Sequence, residues 1–148
     1  MSVHTIVVGV DPSDGSDQAV RWAAELAGQL RAKVVAVHAF EPLAYLGKVD
    51  PPIDFHALRV ACERDLDEQW CAPLRAAGVR FEARVVEGTP VEALIDAAEA
   101  ADADLVVVGA RGQSTLRGLV LGSTSLKLPH STTRPVCIVH PTEQPPSA

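Results

Sequence analysis

Residues 105–108 read Leu-Val-Val-Val and run straight into Gly109. A short apolar, β-branched run of this kind suits a strand buried on both faces of a parallel sheet. Gly109 and Gly112 then bracket a tight turn. Nine residues intervene before Gly122, which is followed by Ser123, Thr124 and Ser125, where a new helix should start. A buried strand, a glycine turn and a hydroxyl-rich helix start together make an anion site. Glycine lets backbone approach a phosphate closely, first-turn N–H groups point outward, and the helix dipole favours negative charge there. Singly, each residue has a plainer reading: Gly109 ends a strand, Gly112 serves a turn, Ser123 caps a helix. All of them in this order on a strand–loop–helix favour a bound nucleotide, ATP first. The spacing is neither G-x-G-x-x-G nor G-x-x-x-x-G-K-[ST], so the dinucleotide fingerprint and the Walker-A loop are both absent.

The rest of the chain alternates strand and helix patterns. Residues 5–10 form a near-continuously apolar first strand that ends in the polar turn Asp11-Pro12-Ser13-Asp14-Gly15-Ser16. Ser16 or Ser13 can cap the helix over 17–31, whose inner stripe is Val20, Ala23, Ala24, Ala27 and Leu30. Residues 33–39 make a second strand. The proline-rich connection 40–54 reads as a loop without a regular element. Leu58, Cys62, Leu66 and Trp70 recur at helical spacing, and Pro73 should bend or end that helix. A third strand spans 79–86. Thr89-Pro90-Val91-Glu92 is a helix start with N-cap, first-turn proline and capping-box glutamate. Pro129 should kink or shorten the last helix, and Val136–Val139 is the fifth strand. These patterns give an α/β fold, a doubly wound sheet with helices on both faces, whose ligands bind at the carboxyl ends of the strands. The expected division is one domain over 1–141 and a loose proline-rich tail over 142–148.

Whole-chain properties narrow the function. A chain of 148 residues suits one domain. A formal net charge of -6 argues against a nucleic-acid partner, whose phosphate backbone demands a basic face. It leaves room for a single nucleotide, which needs only a local nest of N–H groups. Three cysteines, Cys62, Cys71 and Cys137, without C-x-x-C, fit a reducing cytoplasm. Neither a signal segment nor an apolar run of membrane-spanning length is read, so no membrane partner is expected.

Four segments in order now carry a family resemblance: VVGVDPSDGS from Val7, VVAVHA from Val34, ADLVVVGARG through GSTS, and RPVCIVH from Arg134. Together they resemble the universal stress protein family in its ATP-binding branch, over nearly the whole chain. The resemblance implies a Rossmann-like, five-stranded parallel sheet of order 3-2-1-4-5. It implies that Asp11 contacts the ribose or adenine side, with Ser13 in the same loop, and that the backbone at Ala39 recognises the adenine edge. Gly109 and Gly112 would wrap the phosphates, Gly122 and the Ser123 hydroxyl would complete the cradle with Thr124 beside them, and Ser125 would be a further phosphate contact. It also implies a homodimer through Val136–Val139, an edge that needs a partner or cover in any case. Ala39 stands where a bulkier apolar residue is common, and Pro129 where an ordinary helix former is usual.

Several residues keep two readings. Arg111 and Arg117 are either phosphate partners or solvated loop residues. His38, behind a buried strand, reads as a structural histidine. Asp11 or Asp14 can hold a magnesium ion through the phosphates. Phosphoryl transfer needs a phosphate-binding lysine, metal carboxylates and a nucleophile-orienting group, and this pattern is missing among Lys33, Lys48 and Lys127. A nucleotide-dependent stress-response regulator is therefore the leading reading. Slow ATP hydrolysis or autophosphorylation on the same site is one alternative, and a dimeric interaction module that binds no nucleotide is another. Cyclic AMP is the competing ligand.

Overall fold

The computed structural model describes residues 1–48, 50–111 and 121–141. The apolar runs become five parallel strands: β1 (Thr5–Gly9), β2 (Lys33–Phe40), β3 (Phe81–Glu87), β4 (Leu105–Gly109) and β5 (Val136–Val139). They lie side by side in the order β3-β2-β1-β4-β5. This is the order the family resemblance implies. Val7 stands between Val35 and Val106, and Val107 pairs with Cys137. The central strands are dry on both sides, with Ile6, Val7, Val8 and Val107 fully inaccessible.

Strand pleating sends alternate residues to opposite faces, and each face has its own helices. Ile6, Val8, Val34 and Ala36 meet Ala19, Val20, Ala23 and Ala27 of α1 (Asp14–Leu30). Val7, Val35, Val37 and Val106 meet Ala93, Leu94, Ala97 and Ala98 of α4 (Pro90–Ala101), together with Leu128 of α5 (Ser123–Ser131). The alanine stripe lets α1 lie close on the sheet. Leu30, expected on that stripe, is instead exposed at the helix end. The capping box at Thr89 and Glu92 forms as the sequence predicts.

Four local expectations need correction. The first helix starts at Asp14 rather than 17, because Ser13 is the N-cap and Ser16 is turned inward. The 40–54 connection holds one 3-10 turn, Pro42–Tyr45, with its proline at the helix start where the missing N–H costs nothing. The helix carrying Leu58 and Cys62 is α2 (Phe55–Asp65), and it runs on into a π-helical segment, Leu66–Trp70. Pro73 does not end this helix; it lies in the first turn of a separate helix, α3 (Ala72–Ala76). The expectation for Pro129 holds: α5 is short, ending two residues beyond that proline at Ser131.

Candidate functional site

Winding reverses between β1 and β4, so the loops that follow these strands part and leave a crevice at their carboxyl ends. The loop after β1 is a tight Asx-type turn. Asp11 Oδ1 accepts from the Ser13 N–H at 2.7 Å, and Ser13 Oγ accepts from the Ser16 N–H at 3.1 Å as the cap of α1. Ser16 is 5% exposed, and its hydroxyl accepts the Asp11 N–H at 2.8 Å. Asp11 is thereby fixed at the crevice rim by a carboxylate bond and a backbone bond.

β2 extends beyond the end of β1. The Val10 N–H donates to Val37 O, so odd-numbered residues of β2 direct their backbone groups toward β1. Even-numbered residues face β3, as Val34 N–H to Arg80 O and Gly88 N–H to Phe40 O attest. Ala39, paired in register with Val86, therefore turns its N–H and C=O to the β1 side, two residues past the last strand partner there. A donor and an acceptor stand next to each other on a bare strand edge facing the crevice.

At the end of β4, Gly109 answers to packing. A Cβ on Gly109 would lie 2.7 Å from Gly15 O, and a Cβ on Gly15 would lie 2.3 Å from Arg111 O. The first turn of α1 and the end of β4 thus cross backbone to backbone. Gly15 is a site-shaping residue that the sequence reading missed, because a glycine in a polar turn looks the same whether or not another backbone leans on it. Gly112 and Arg117 lie outside the described residues. Gly122 is the N-cap of α5, with no side chain to satisfy that helix's first N–H groups. Its own N–H donates to Ala110 O at 2.6 Å, and the Ser125 hydroxyl, 2% exposed, donates to the same carbonyl at 2.7 Å. Ser125 therefore pins α5 to the end of β4 rather than offering its proton to a phosphate as the resemblance implies, because that proton is already held by backbone carbonyls. Ser123 is exposed and Thr124 half-buried on the free side.

These pieces enclose a cavity of about 540 Å³, ordinary for a small-molecule site. Asp11, Ser13, Ala39, Gly109, Arg111, Gly122, Ser123, Thr124 and Ser125 all border it, and so do Glu41 and Leu94, which sequence reasoning did not single out. The hydroxyls of Ser13, Ser16 and Ser125 are engaged with backbone groups. Among the described residues, no three His, Cys, Asp or Glu side chains gather as a metal-ligand set. The arrangement offers a backbone donor–acceptor pair for a planar polar edge, a carboxylate for hydroxyls, and uncapped helix amides with Arg111 for an anion.

The sequence profile of the universal stress protein family matches residues 2–140. Universal stress protein Rv1636 of Mycobacterium tuberculosis is 36% identical over 142 residues, covering 93% of this chain and 97% of the relative. A universal stress protein of Mycolicibacterium smegmatis is 31% identical over 150 residues; the chain spans about half of that relative, 49% of its length. The solved structure of a universal stress protein in complex with cAMP superposes with a TM-score of 0.70. It is 34% identical and covers 95% of this chain and 98% of that one.

Proposed function

Because the chain belongs to the universal stress protein family, we propose that it binds an adenine nucleotide, ATP, in the β1–β2–β4 cavity and acts as a nucleotide-dependent stress-response regulator. One observation carries this reading: the bare Ala39 edge, the Asp11 carboxylate and the uncapped α5 N-terminus converge on one cavity. The Ala39 N–H would donate to adenine N1 and its C=O accept from the 6-amino group. Guanine presents the opposite pattern at these atoms, so this edge selects against it. Asp11 would accept a ribose hydroxyl. Gly109, Ser123, Thr124 and Arg111 would line the phosphates, with Ser13, Gly122 and Ser125 holding the cradle's shape. A magnesium ion, if carried in, would be held mainly by the phosphates with Asp11, as is usual for that ion.

Cyclic AMP is the second reading, favoured by the 34%-identical relative solved with cAMP. Its single phosphate would use the α5 amides and leave the Arg111 side free. We further propose that the protein works in a reducing cytoplasm, a reading supported by the free thiols of Cys62, Cys71 and Cys137. Among the described residues no helix is long and apolar enough to cross a membrane. Two copies would pair along β5, whose four residues are only half-buried.

The test is mass spectrometry of the nucleotide released when freshly purified protein is denatured. ATP recovered near one equivalent per chain supports the reading. Cyclic AMP shifts it to the second. ADP appearing from added ATP would move the protein toward slow hydrolysis.

A further inference from the structure

The Val10–Asp11 peptide, which aims Asp11 into the crevice, is held by a side chain at each end. Its N–H is taken by the buried Ser16 hydroxyl at 2.8 Å. Its C=O, that of Val10, lies 2.8 Å from His38 Nδ1 on the neighbouring strand. A carbonyl can only accept, so Nδ1 carries the proton. The His38 ring is in turn set by Trp70, with ring centroids 4.9 Å apart and planes tilted by 56°. Trp70 closes the π-helical segment, whose Cys71 N–H reaches back five residues to Leu66 O at 2.9 Å. One extra residue in that turn changes the direction in which Trp70 projects, and π-turns of this kind concentrate at functional sites.

From this geometry we infer that His38 and Ser16 form a clamp that positions Asp11 for the ligand, with Trp70 as its backing. The inference rests on the nucleotide reading above for what Asp11 contacts; the clamp itself rests on the bonds just given. The clamp differs from ordinary core packing because it acts on one peptide plane. Without the His38 donor, the Val10 carbonyl is free to turn toward water, the peptide can rotate, and the Asp11 carboxylate loses its fixed direction. His38 and Ser16 are positioning residues. They act through Asp11 and do not need to touch the nucleotide.

Two measurements on the full chain test this. The first needs no ligand: amide hydrogen exchange at Asp11 by NMR. His38→Phe, which keeps a ring against Trp70 but removes the donor, should speed exchange at Asp11 at least tenfold. His38→Asn, whose amide can donate from nearly the Nδ1 position, should restore it. Exchange unchanged in His38→Phe overturns the clamp. The second is ATP titration calorimetry on wild type, His38→Phe, Asp11→Ala and the double variant. A net hydrogen bond's worth of positioning predicts a loss of about fivefold to tenfold for His38→Phe. That loss should vanish in the Asp11→Ala background, because both changes act on the same contact. Additive losses would mean His38 acts elsewhere and would overturn the positioning role. Ser16→Ala provides the same cycle should His38→Phe fold poorly. If wild type binds no adenine nucleotide while Asp11 exchange still responds to His38, the nucleotide reading and the positioning role fall together and only the structural clamp survives.

Discussion

Glycines that look alike in the sequence do different work. Gly15 has no room for a side chain, since a Cβ there would sit 2.3 Å from the Arg111 carbonyl oxygen, and backbone cannot move aside as a flexible side chain can. Gly28, on the same helix, has nothing within 4 Å of an added Cβ. Gly15→Ala should therefore destabilise the fold by about 3 kcal/mol, the upper range for an overpacked site. Gly28→Ala should stabilise it by roughly 0.5–1 kcal/mol, the helix penalty of an unneeded glycine. Urea denaturation of the two variants measures both; equal effects would show that the close crossing of α1 and β4 is wrong. The sequence could not separate these residues. Contact between Gly15 and Gly109 joins positions far apart in the chain, and no local pattern encodes it. The same applies to Ser16, which reads as one more cap candidate until its inward turn toward Asp11 is seen.

At the scale of elements, α5 presents its uncapped N-terminus to the cavity and also carries an unfavourable local choice. Pro129 lies inside this nine-residue helix, where it lacks the N–H that would reach the Ser125 carbonyl one turn earlier. Pro129→Ala should raise stability by about 1–2 kcal/mol in urea denaturation, less than the full interior cost because the helix ends two residues on. No gain would mean that the surroundings already satisfy Ser125 O. The β2–β3 pair shows a different control. Glu82 on β3 accepts from Lys33 Nζ of β2 at 2.5 Å and from Arg84 Nη2 at 2.7 Å. These two hydrogen bonds, the Lys33 one foremost, hold its carboxyl below the usual glutamate range. A carboxyl lowered in the folded state adds stability that is present above its unfolded pKa of about 4.3 and is lost as pH falls through the lower folded value. Glu82→Gln should flatten the acid limb of the stability–pH curve below about pH 4.3. The effect will be modest and weaker in salt, because the carboxylate is partly exposed. An unchanged acid limb would contradict the pairing.

For the whole molecule, the architecture was the most legible part. Buried parallel strands are nearly continuous apolar runs, and the runs at Ile6–Val8, Val34–Val37 and Val106–Val108 are all deeply buried. Their alternation with helices gives the fold class, while the order 3-2-1-4-5 came from the family resemblance, since strand order has no local signature. The π-segment was illegible, because Leu58, Cys62, Leu66 and Trp70 at four-residue spacing suit a regular helix equally well. The site was legible as a set of residues: nine of the ten singled out border one cavity, and Gly112 lies outside the described residues. What each does there was less so, since bonds such as Ser125 to Ala110 O depend on how α5 docks. Assembly is open to its own check. Ile138 lies on the half-buried edge strand β5. Ile138→Lys should turn a dimer in sedimentation velocity into a monomer that keeps its circular dichroism spectrum; a wild-type monomer would contradict pairing along β5. The central claim, that the β1–β2–β4 cavity is an adenine-nucleotide site, is tested most directly by titration calorimetry with ATP, cyclic AMP and GTP on wild type and Gly122→Glu, whose new carboxylate sits at the α5 N-terminus. One adenine nucleotide should bind one per chain, GTP should bind at least about 100-fold more weakly because the Ala39 edge mismatches guanine, and binding should be lost in the folded Gly122→Glu variant. Folded wild-type protein that binds none of the three, or binds GTP as well as ATP, would contradict it.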